Sequence, residues 1–254
     1  MLPGAGPVIA GKIDTWTPRV VLGLATMKMT VRVVRVFADE AGAFGNELGV
    51  VFDAAELPGE LGVRLTAHLG FSETVFLDDV ERADLRIFTP ARELPLAGHP
   101  LVGTARVLAE VTGRVPEVLR PRLADPVQTW QDGGLSWIRA NTAYAPEFGF
   151  TKLDSPAAVE ALRPDPEQYP HDQFWAWIDE PAGVLRARTF VGSMGMGEDE
   201  ATGSAAMLQA RAHGRELIIR QGRGSVIRVR PAAREGWSEV GGRVVGEPER
   251  IVEL

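Results

Sequence analysis

The most informative stretch of this chain reads Ala97-Gly98-His99-Pro100-Leu101-Val102-Gly103-Thr104-Ala105. It is a glycine-containing turn, followed by a predicted helix over Val102–Glu110. The first N–H groups of a helix have no partner within the helix, and the helix dipole places positive charge at the same end. The turn therefore predicts an anion site, for which a small carboxylate is the natural ligand, and His99 adds an imidazole.

This turn has two other interpretations. Gly98 and Gly103-Thr104 imitate the spacing of a phosphate-binding loop, but Ala105 and Arg106 follow and the lysine of that motif is missing. Nucleotide binding is therefore not expected. The turn also fits a plain helix start, with Pro100 near the first helical position and the glycines serving local geometry.

A second turn has the same design, and it reads Glu198-Asp199-Glu200-Ala201-Thr202-Gly203-Ser204-Ala205-Ala206. A helix is predicted after it, over Ser204–His213. Gly203 and the hydroxyls of Thr202 and Ser204 would suit a bound carboxylate, and Asp199 adds an acidic group. The alternative is an acidic first turn that complements the helix dipole and is capped by Thr202 or Ser204.

One glutamate lies at the start of a predicted strand, where Ser72-Glu73-Thr74 precedes the apolar residues Val75–Leu77. Taken alone, Glu73 fits an exposed acid at a strand edge. If Glu73 faces the two turns, a carboxylate, an imidazole and a second carboxylate come together. Those are the groups of acid–base chemistry.

The order of predicted elements repeats along the chain. Each half has strands, a short helix, more strands, a glycine turn and a longer helix, which predicts two similar domains whose turns face one cleft. The predicted strands are Thr30–Phe37, Leu48–Phe52, Val75–Leu77, Leu85–Phe88, Val127–Trp130, Leu135–Ala140, Phe174–Ile178, Leu185–Val191, Leu217–Arg220, Ser225–Arg230 and Arg243–Val245. Further helices are predicted at Leu57–Leu69 and Ala157–Leu162, and Pro116–Pro126 is predicted as a proline-rich connector.

The N-terminal segment 1–29 is aperiodic and contains several glycines and prolines, so a loosely ordered leader is predicted there. Met27 or Met29 is a candidate start of the functional protein. We assign residues 30–124 to an N-terminal domain and 125–239 to a C-terminal domain.

Composition narrows the functional classes. The chain has 254 residues, a net charge of −7 and no cysteine. The negative charge argues against nucleic acid and anionic membranes as partners, and no stretch has the length of a membrane span. Without cysteine there is no disulfide or thiolate nucleophile, which fits a cytoplasmic location. The four histidines lack metal-ligand spacing, so no metal is expected.

Five segments, in order, resemble the PhzF family, the phenazine-biosynthesis isomerases and their relatives with the diaminopimelate-epimerase fold. The matching segments are Phe37–Val51, which contains Phe44-Gly45-Asn46, then Phe71–Phe76, Phe88–Pro100, Glu198–Ala206 and Arg220–Ser225. The resemblance covers residue 30 to the C-terminus.

The resemblance implies an α+β fold of two pseudo-symmetric domains, each a curved mixed β-sheet wrapped around a central helix, with the C-terminal strands 240–254 returning to the first domain. It implies a cofactor-independent isomerase, often a homodimer, that moves a proton on a small amino acid or carboxylate. Glu73 would be the general acid–base group, assisted by His99 and Asp199. The substrate carboxylate would be held by Gly98, Thr202, Gly203, Ser204 and Asn46.

The chain also departs from the family pattern. Glu47 and Glu200 stand where the family usually has proline, and the second unit is shorter than usual, which leaves the substrate open. Ala97 and Ala201 occupy the positions of the two catalytic cysteines of diaminopimelate epimerase, so a two-thiol racemase is excluded. Two other classes stay open: a non-catalytic protein that binds small carboxylates, and an interaction protein on the same scaffold.

Overall fold

The computed structural model describes residues 27–163, 165, 167–194 and 197–254. Most of the predicted leader, residues 1–26, lies outside the described residues. Its predicted end at residue 29 is wrong, because Lys28 and Met29 already belong to the first strand. That strand is anchored by the C-terminus: Met27 and Leu254 exchange two backbone hydrogen bonds of 2.9 and 3.0 Å.

The described residues form sixteen strands and four α-helices. The strands are β1 (Lys28–Ala38), β2 (Asn46–Val51), β3 (Glu73–Asp79), β4 (Asp84–Phe88), β5 (Glu93–Leu94), β6 (Val118–Pro121), β7 (Val127–Asp132), β8 (Leu135–Asn141), β9 (Gly149–Lys152), β10 (Asp172–Asp179), β11 (Val184–Phe190), β12 (Glu198–Asp199), β13 (Leu217–Gln221), β14 (Ser225–Pro231), β15 (Trp237–Gly246) and β16 (Arg250–Glu253). The helices are α1 (Gly59–Leu69), α2 (Gly98–Thr112), α3 (Pro156–Glu160) and α4 (Gly203–His213), and short 3₁₀ turns lie at Thr142–Tyr144 and Gly192–Met194.

The sheet is continuous and partly closed on itself. Its order is β16-β1-β2-β3-β4-β6-β7-β8-β15-β14-β13-β11-β10-β9, and β1 also pairs with β15. Because of that extra pairing, the eight strands from β1 through β8 to β15, without β5, close into a ring. Helix α2 packs against β1, β2, β3, β7, β8 and β15 of this ring, and α4 packs against β14 and β15.

The two halves use the same strand pairings. In the first half β2–β3 and β4–β6 are parallel, while β3–β4, β4–β5 and β6–β7 are antiparallel. In the second half β9–β10 and β11–β13 are parallel, while β10–β11, β11–β12 and β13–β14 are antiparallel. The predicted repeat of elements is therefore present, but one sheet runs through both halves instead of two separate sheets.

Helix α2 begins earlier than its sequence pattern indicates. The prediction started the helix at Val102, whereas the structure starts it at Gly98, with Pro100 in the first turn where its missing N–H costs nothing. The helix ends at Gly113, which adopts a left-handed conformation with φ 72°. The early start places His99 inside the first turn.

The predicted connector Pro116–Pro126 is wrong in part, because it contains strand β6. Strands β5, β9 and β12 were also not predicted, whereas β16 lies within the C-terminal strands 240–254 that the resemblance implied. Strands β5, β9 and β12 have two to four residues each, too few for an alternating pattern, and all four side chains of β9 are exposed. They form because neighbouring strands offer unpaired backbone groups.

Candidate active site

The N-termini of α2 and α4 touch each other. A Cβ added at Gly98 would lie 2.6 Å from the Cα of Gly203, and one added at Gly203 would lie 2.8 Å from the Cα of Gly98. Only glycine at both positions allows this approach. Because both helices begin here, the positive ends of two helix dipoles and two sets of free N–H groups meet at one point, as an anion site requires.

Glu73 and His99 lie beside this meeting point and are both buried. Glu73 is the first residue of β3 and is 7% exposed, and His99 is 2% exposed. The Glu73 Oε2 atom lies 3.7 Å from His99 Nδ1. Within the described chain Oε2 has no hydrogen-bond partner. The interpretation of Glu73 as an exposed strand-edge acid is therefore wrong.

Asp199, the last residue of β12, accepts hydrogen bonds on both carboxyl oxygens. The side-chain amide of Asn46 donates to Oδ1 at 2.6 Å, and the hydroxyl of Thr202 donates to Oδ2 at 2.6 Å. The Asn46 amide also donates to the Ala201 carbonyl at 3.2 Å. A carbonyl only accepts, so this contact identifies the Asn46 atom as nitrogen.

The direction of the Thr202 bond is set by Gln221. The Gln221 Nε2 atom lies 2.9 Å from the Asp199 backbone carbonyl, so it is the donor there, and it also donates to the Thr202 hydroxyl at 2.8 Å. Thr202 therefore accepts from Gln221 and has its single proton left for Asp199. Both oxygens of Asp199 thus face donors, which is the environment of an ionised carboxylate.

The two buried carboxyls differ in their protonation. Burial, together with the charge of Asp199, raises the pKa of Glu73 to about 8, against the lowering effect of the Ser72 hydroxyl. Burial also raises the pKa of Asp199, but only to about 6, because the hydrogen bonds from Thr202 and Asn46 oppose it. At neutral pH Glu73 therefore holds the proton. Burial lowers the pKa of His99 to about 3, so its imidazole is neutral.

Glu73 and Asp199 open onto a pocket with Ser204. Its other lining residues come from both halves of the chain and are Ser72, Leu94, Leu96, Ala97, Pro146, Phe148, His171, Val191 and Thr202. The cavity is narrow, about 20 Å³, which is space for about one water molecule. A ring-sized carboxylate requires the walls to move apart.

A larger cleft of about 340 Å³ lies elsewhere and is open to solvent. Trp137, Arg228 and Arg243 help to line it, and the candidate site residues do not. Its size alone does not make it the active site, because the buried groups with strongly raised pKa values lie in the narrow pocket.

The structure brings most of the predicted site residues together, but some of them lie free at the helix ends and others are hydrogen-bonded to Asp199. Gly98, Gly203 and Ser204 lie at the joined helix ends, and the Ser204 hydroxyl makes no hydrogen bond to any described residue. The polar groups of Asn46 and Thr202 are instead occupied by Asp199 and its neighbours. Thr202 holds the N-cap position of α4 without a side-chain cap bond, so the predicted capping role is wrong.

Three contributors were missed from the sequence. The Ser72 hydroxyl lies 3.2 Å from the side-chain oxygen Oδ1 of Asn46. Gln221 donates to Thr202 and so sets the direction of the hydrogen bond between Thr202 and Asp199. His171 lines the pocket from a loop. Gln221 lies in one of the five segments that carry the family resemblance, so the sequence offered a signal for it. The loop around His171 belongs to none of these segments.

Two further findings concern metals and membranes. The described part of the chain holds no group of three or more His, Asp or Glu side chains arranged as metal ligands. None of its helices has the length and hydropathy needed to cross a membrane.

The architecture is that of the epimerase-like proteins. A PhzF-family protein from Enterococcus faecalis superposes with a TM-score of 0.71 at 22% identity, covering 90% of this chain and all of that one. A predicted epimerase from Pseudomonas aeruginosa superposes with a TM-score of 0.67 at 23% identity, covering 88% of this chain and 99% of that one. These likenesses show the fold that the proteins share, which is a mixed sheet with few helices.

Sequence comparison identifies the family. Residues 34–121 match the family described as phenazine biosynthesis-like protein. The trans-2,3-dihydro-3-hydroxyanthranilate isomerase of Pseudomonas aeruginosa is 31% identical over 216 residues, which cover 68% of this chain and 76% of that enzyme. The chain belongs to the PhzF family of phenazine biosynthesis-like proteins. It is an isomerase.

Proposed function

We propose that the chain isomerises a small cyclic amino acid by proton transfer through Glu73, without a cofactor. The observation that carries this proposal is the position of Glu73: buried at the pocket, with an unpartnered oxygen, beside the joined N-termini of α2 and α4. In its ionised form Glu73 takes a proton from a substrate carbon, so that a C–H bond breaks and an O–H bond forms. The electron pair left on carbon spreads into the adjacent unsaturated system, and the proton returns at another carbon.

The raised pKa of Glu73 suits this task. A glutamate at its ordinary pKa is too weak a base for a carbon acid, and a general acid–base group works best with a pKa near the working pH. Asp199 contributes in two ways: its negative charge raises the pKa of Glu73, and its carboxylate faces the same pocket. The neutral His99 lies 3.7 Å from Glu73 and does not compete for its proton.

The substrate carboxylate would bind where the two helices meet. Free N–H groups and the Ser204 hydroxyl supply donors there, and they also stabilise negative charge that develops when the proton leaves. Since the Pseudomonas aeruginosa relative is named for trans-2,3-dihydro-3-hydroxyanthranilate, we propose an unsaturated cyclic amino acid of that size as the substrate class.

Turnover in heavy water tests this proposal. Wild-type protein is incubated with trans-2,3-dihydro-3-hydroxyanthranilate and with a panel of cyclic and acyclic β,γ-unsaturated amino acids in D₂O, and the products are followed by NMR. An isomerase of this mechanism moves the double bond and introduces deuterium at carbon. A protein that only binds carboxylates leaves every compound unlabelled, and that result would contradict the proposal.

The pH dependence of kcat/KM should show the titration of Glu73. Only the ionised form removes a proton, so the rate should rise with pH, with a slope of one on logarithmic axes, and level off above about pH 8. At two pH units below that value the rate should be about a hundredfold below its plateau. A profile already flat at pH 6 would assign the base to another group.

Ser204→Ala should weaken binding before it affects chemistry. The change removes a hydroxyl that would donate to the substrate carboxylate, and such a bond to a charged group is worth roughly 10- to 100-fold in affinity. KM should rise by that factor with kcat little changed. Thr151→Ala, which removes an exposed hydroxyl on β9, is the control and should leave KM unaltered. Equal KM values for both variants would remove Ser204 from the carboxylate site.

We also propose a division of the chain into two structural units. The shared pairing pattern supports two pseudo-symmetric units, 30–124 and 125–239, each curved around its own helix, α2 or α4, with the last strands returning to β1. Homodimer formation remains a prediction from the resemblance, and a cytoplasmic location remains a prediction from the absence of cysteine.

A further inference from the structure

His171 lines the same pocket as Glu73 and Asp199, in the loop that leads into β10. Its ring stacks on Phe148, with 4.1 Å between the ring centroids. Phe148 and Pro146 line the pocket beside it. The stack fixes the plane of the imidazole ring at the pocket.

One hydrogen bond fixes which ring nitrogen of His171 carries the proton. The Nδ1 atom lies 2.6 Å from the backbone carbonyl of Glu147. A carbonyl oxygen only accepts, so Nδ1 must be the donor. In the neutral imidazole, Nε2 is then left with a lone pair and acts as an acceptor. Among the described residues Nε2 has no hydrogen-bond partner.

His171 is held in the neutral state. Burial lowers its pKa, and the positive charge of Arg92 acts in the same direction, while the Glu147 carbonyl and Asp172 oppose them. At neutral pH the free nitrogen is therefore an acceptor, which cannot bind a carboxylate.

The pocket contains both hydrogen-bond donors and acceptors. The donors lie at the helix ends, where Ser204 and the free N–H groups are. The Ser72 hydroxyl is engaged with Asn46 and Glu73, and the Thr202 hydroxyl donates to Asp199. The acceptors of the pocket are the Asp199 carboxylate, which also bonds to Thr202 at the start of α4, and the Nε2 atom of His171. A molecule that carries both a carboxylate and hydrogen-bond donors matches this set of groups.

We propose that His171 Nε2 accepts a hydrogen bond from the substrate's ammonium group and so makes the pocket selective for amino acids over simple carboxylates. This role rests on the proposed function, because it assumes that the substrate carboxylate occupies the joined helix ends. His171 is then a specificity-determining residue that contacts the substrate away from the carbon that loses its proton.

Binding of two matched probes tests the role of His171. The affinities of 2-aminocyclohexanecarboxylate and cyclohexanecarboxylate, which differ only in the amino group, are measured by calorimetry at neutral pH for the wild type and for His171→Phe. Phenylalanine keeps a ring to stack on Phe148 but has no acceptor. The wild type should prefer the amino acid, and His171→Phe should lose about tenfold in affinity for it while binding of cyclohexanecarboxylate stays unchanged. An equal loss for both probes, or no loss for either, overturns the proposal.

A second measurement needs no ligand. In ¹⁵N NMR of the labelled protein at neutral pH, the two nitrogens that vanish in His171→Phe should be a protonated Nδ1 and an unprotonated Nε2. A protonated Nε2 overturns the inference, whatever the protein catalyses. A different result contradicts the proposed function: the wild type binds neither probe and labels no compound in D₂O. That result removes the carboxylate site on which the role of His171 depends, even if His171 has the expected tautomer.

Discussion

Glu73→Gln should abolish proton exchange in D₂O while largely preserving the binding of a substrate analogue. The amide has the size of the carboxyl and fits the same buried position, but it cannot take up a proton from carbon. Loss of a general base typically costs about 10²- to 10⁴-fold in rate, and more where the group is the sole route for the proton. The rate is followed by NMR and the affinity by calorimetry with 3-hydroxyanthranilate. Wild-type exchange by the variant would assign the base to another group, with Asp199 or His99 next.

The same variant should change stability in a way that depends on pH. Because the pKa of Glu73 is raised from 4.5 to about 8 in the folded protein, the unfolded chain releases this proton first as the pH rises. Stability therefore falls between about pH 4.5 and pH 8, by on the order of 1 kcal/mol per pH unit. Glutamine does not titrate, so Glu73→Gln should be more stable than the wild type at pH 8, with little difference at pH 4. Thermal unfolding at both pH values measures this, and parallel curves would contradict a buried, proton-holding Glu73.

Gly98→Ala should weaken both the fold and the carboxylate site. The added Cβ would lie 2.6 Å from the Cα of Gly203 and 2.8 Å from its carbonyl carbon. These are backbone atoms that cannot rotate aside, so the N-termini of α2 and α4 must separate. Overpacking of this kind costs about 1–3 kcal/mol of unfolding free energy. Affinity for a carboxylate ligand should fall at least tenfold, because two sets of donors no longer converge on one anion.

Gly246→Ala is the matched control for this prediction. Gly246 lies at the end of β15, and an added Cβ there has no atom within 4 Å. Its unfolding free energy should stay within about 0.5 kcal/mol of the wild type, with unchanged affinity. If Gly98→Ala behaves like this control in urea unfolding and calorimetry, the close approach of the two helices does not build the anion site.

The sequence predicted the long elements and the main site residues for physical reasons. The alternating residues of β1 and the helical spacing and glycine end of α1 are local signals, and the structure has both elements. The five ordered segments predicted the family, and they contained Glu73, His99 and Asp199. The structure confirms the family architecture, and it brings these three side chains to one place.

What the sequence did not indicate depends on contacts between distant segments. The short strand β9 has four exposed residues and forms only because β10 offers it a partner. Asn46 was assigned to substrate binding, but its amide is used by Asp199 and Ala201, which lie more than 150 positions away. His171 has no local signal either, since its value to the site comes from its loop lying against the pocket.

A crystal structure with 3-hydroxyanthranilate bound would show whether a carboxylate is held by the two helix ends beside Glu73. We expect the ligand in the narrow pocket, with the pocket walls moved apart to admit the ring. Its carboxylate should lie between the N-termini of α2 and α4 within hydrogen-bond distance of Ser204, and a ring carbon should lie beside the carboxyl of Glu73. A ligand found instead in the open cleft beside Arg228 and Arg243, or with its carboxylate turned away from the helix ends, would contradict this expectation.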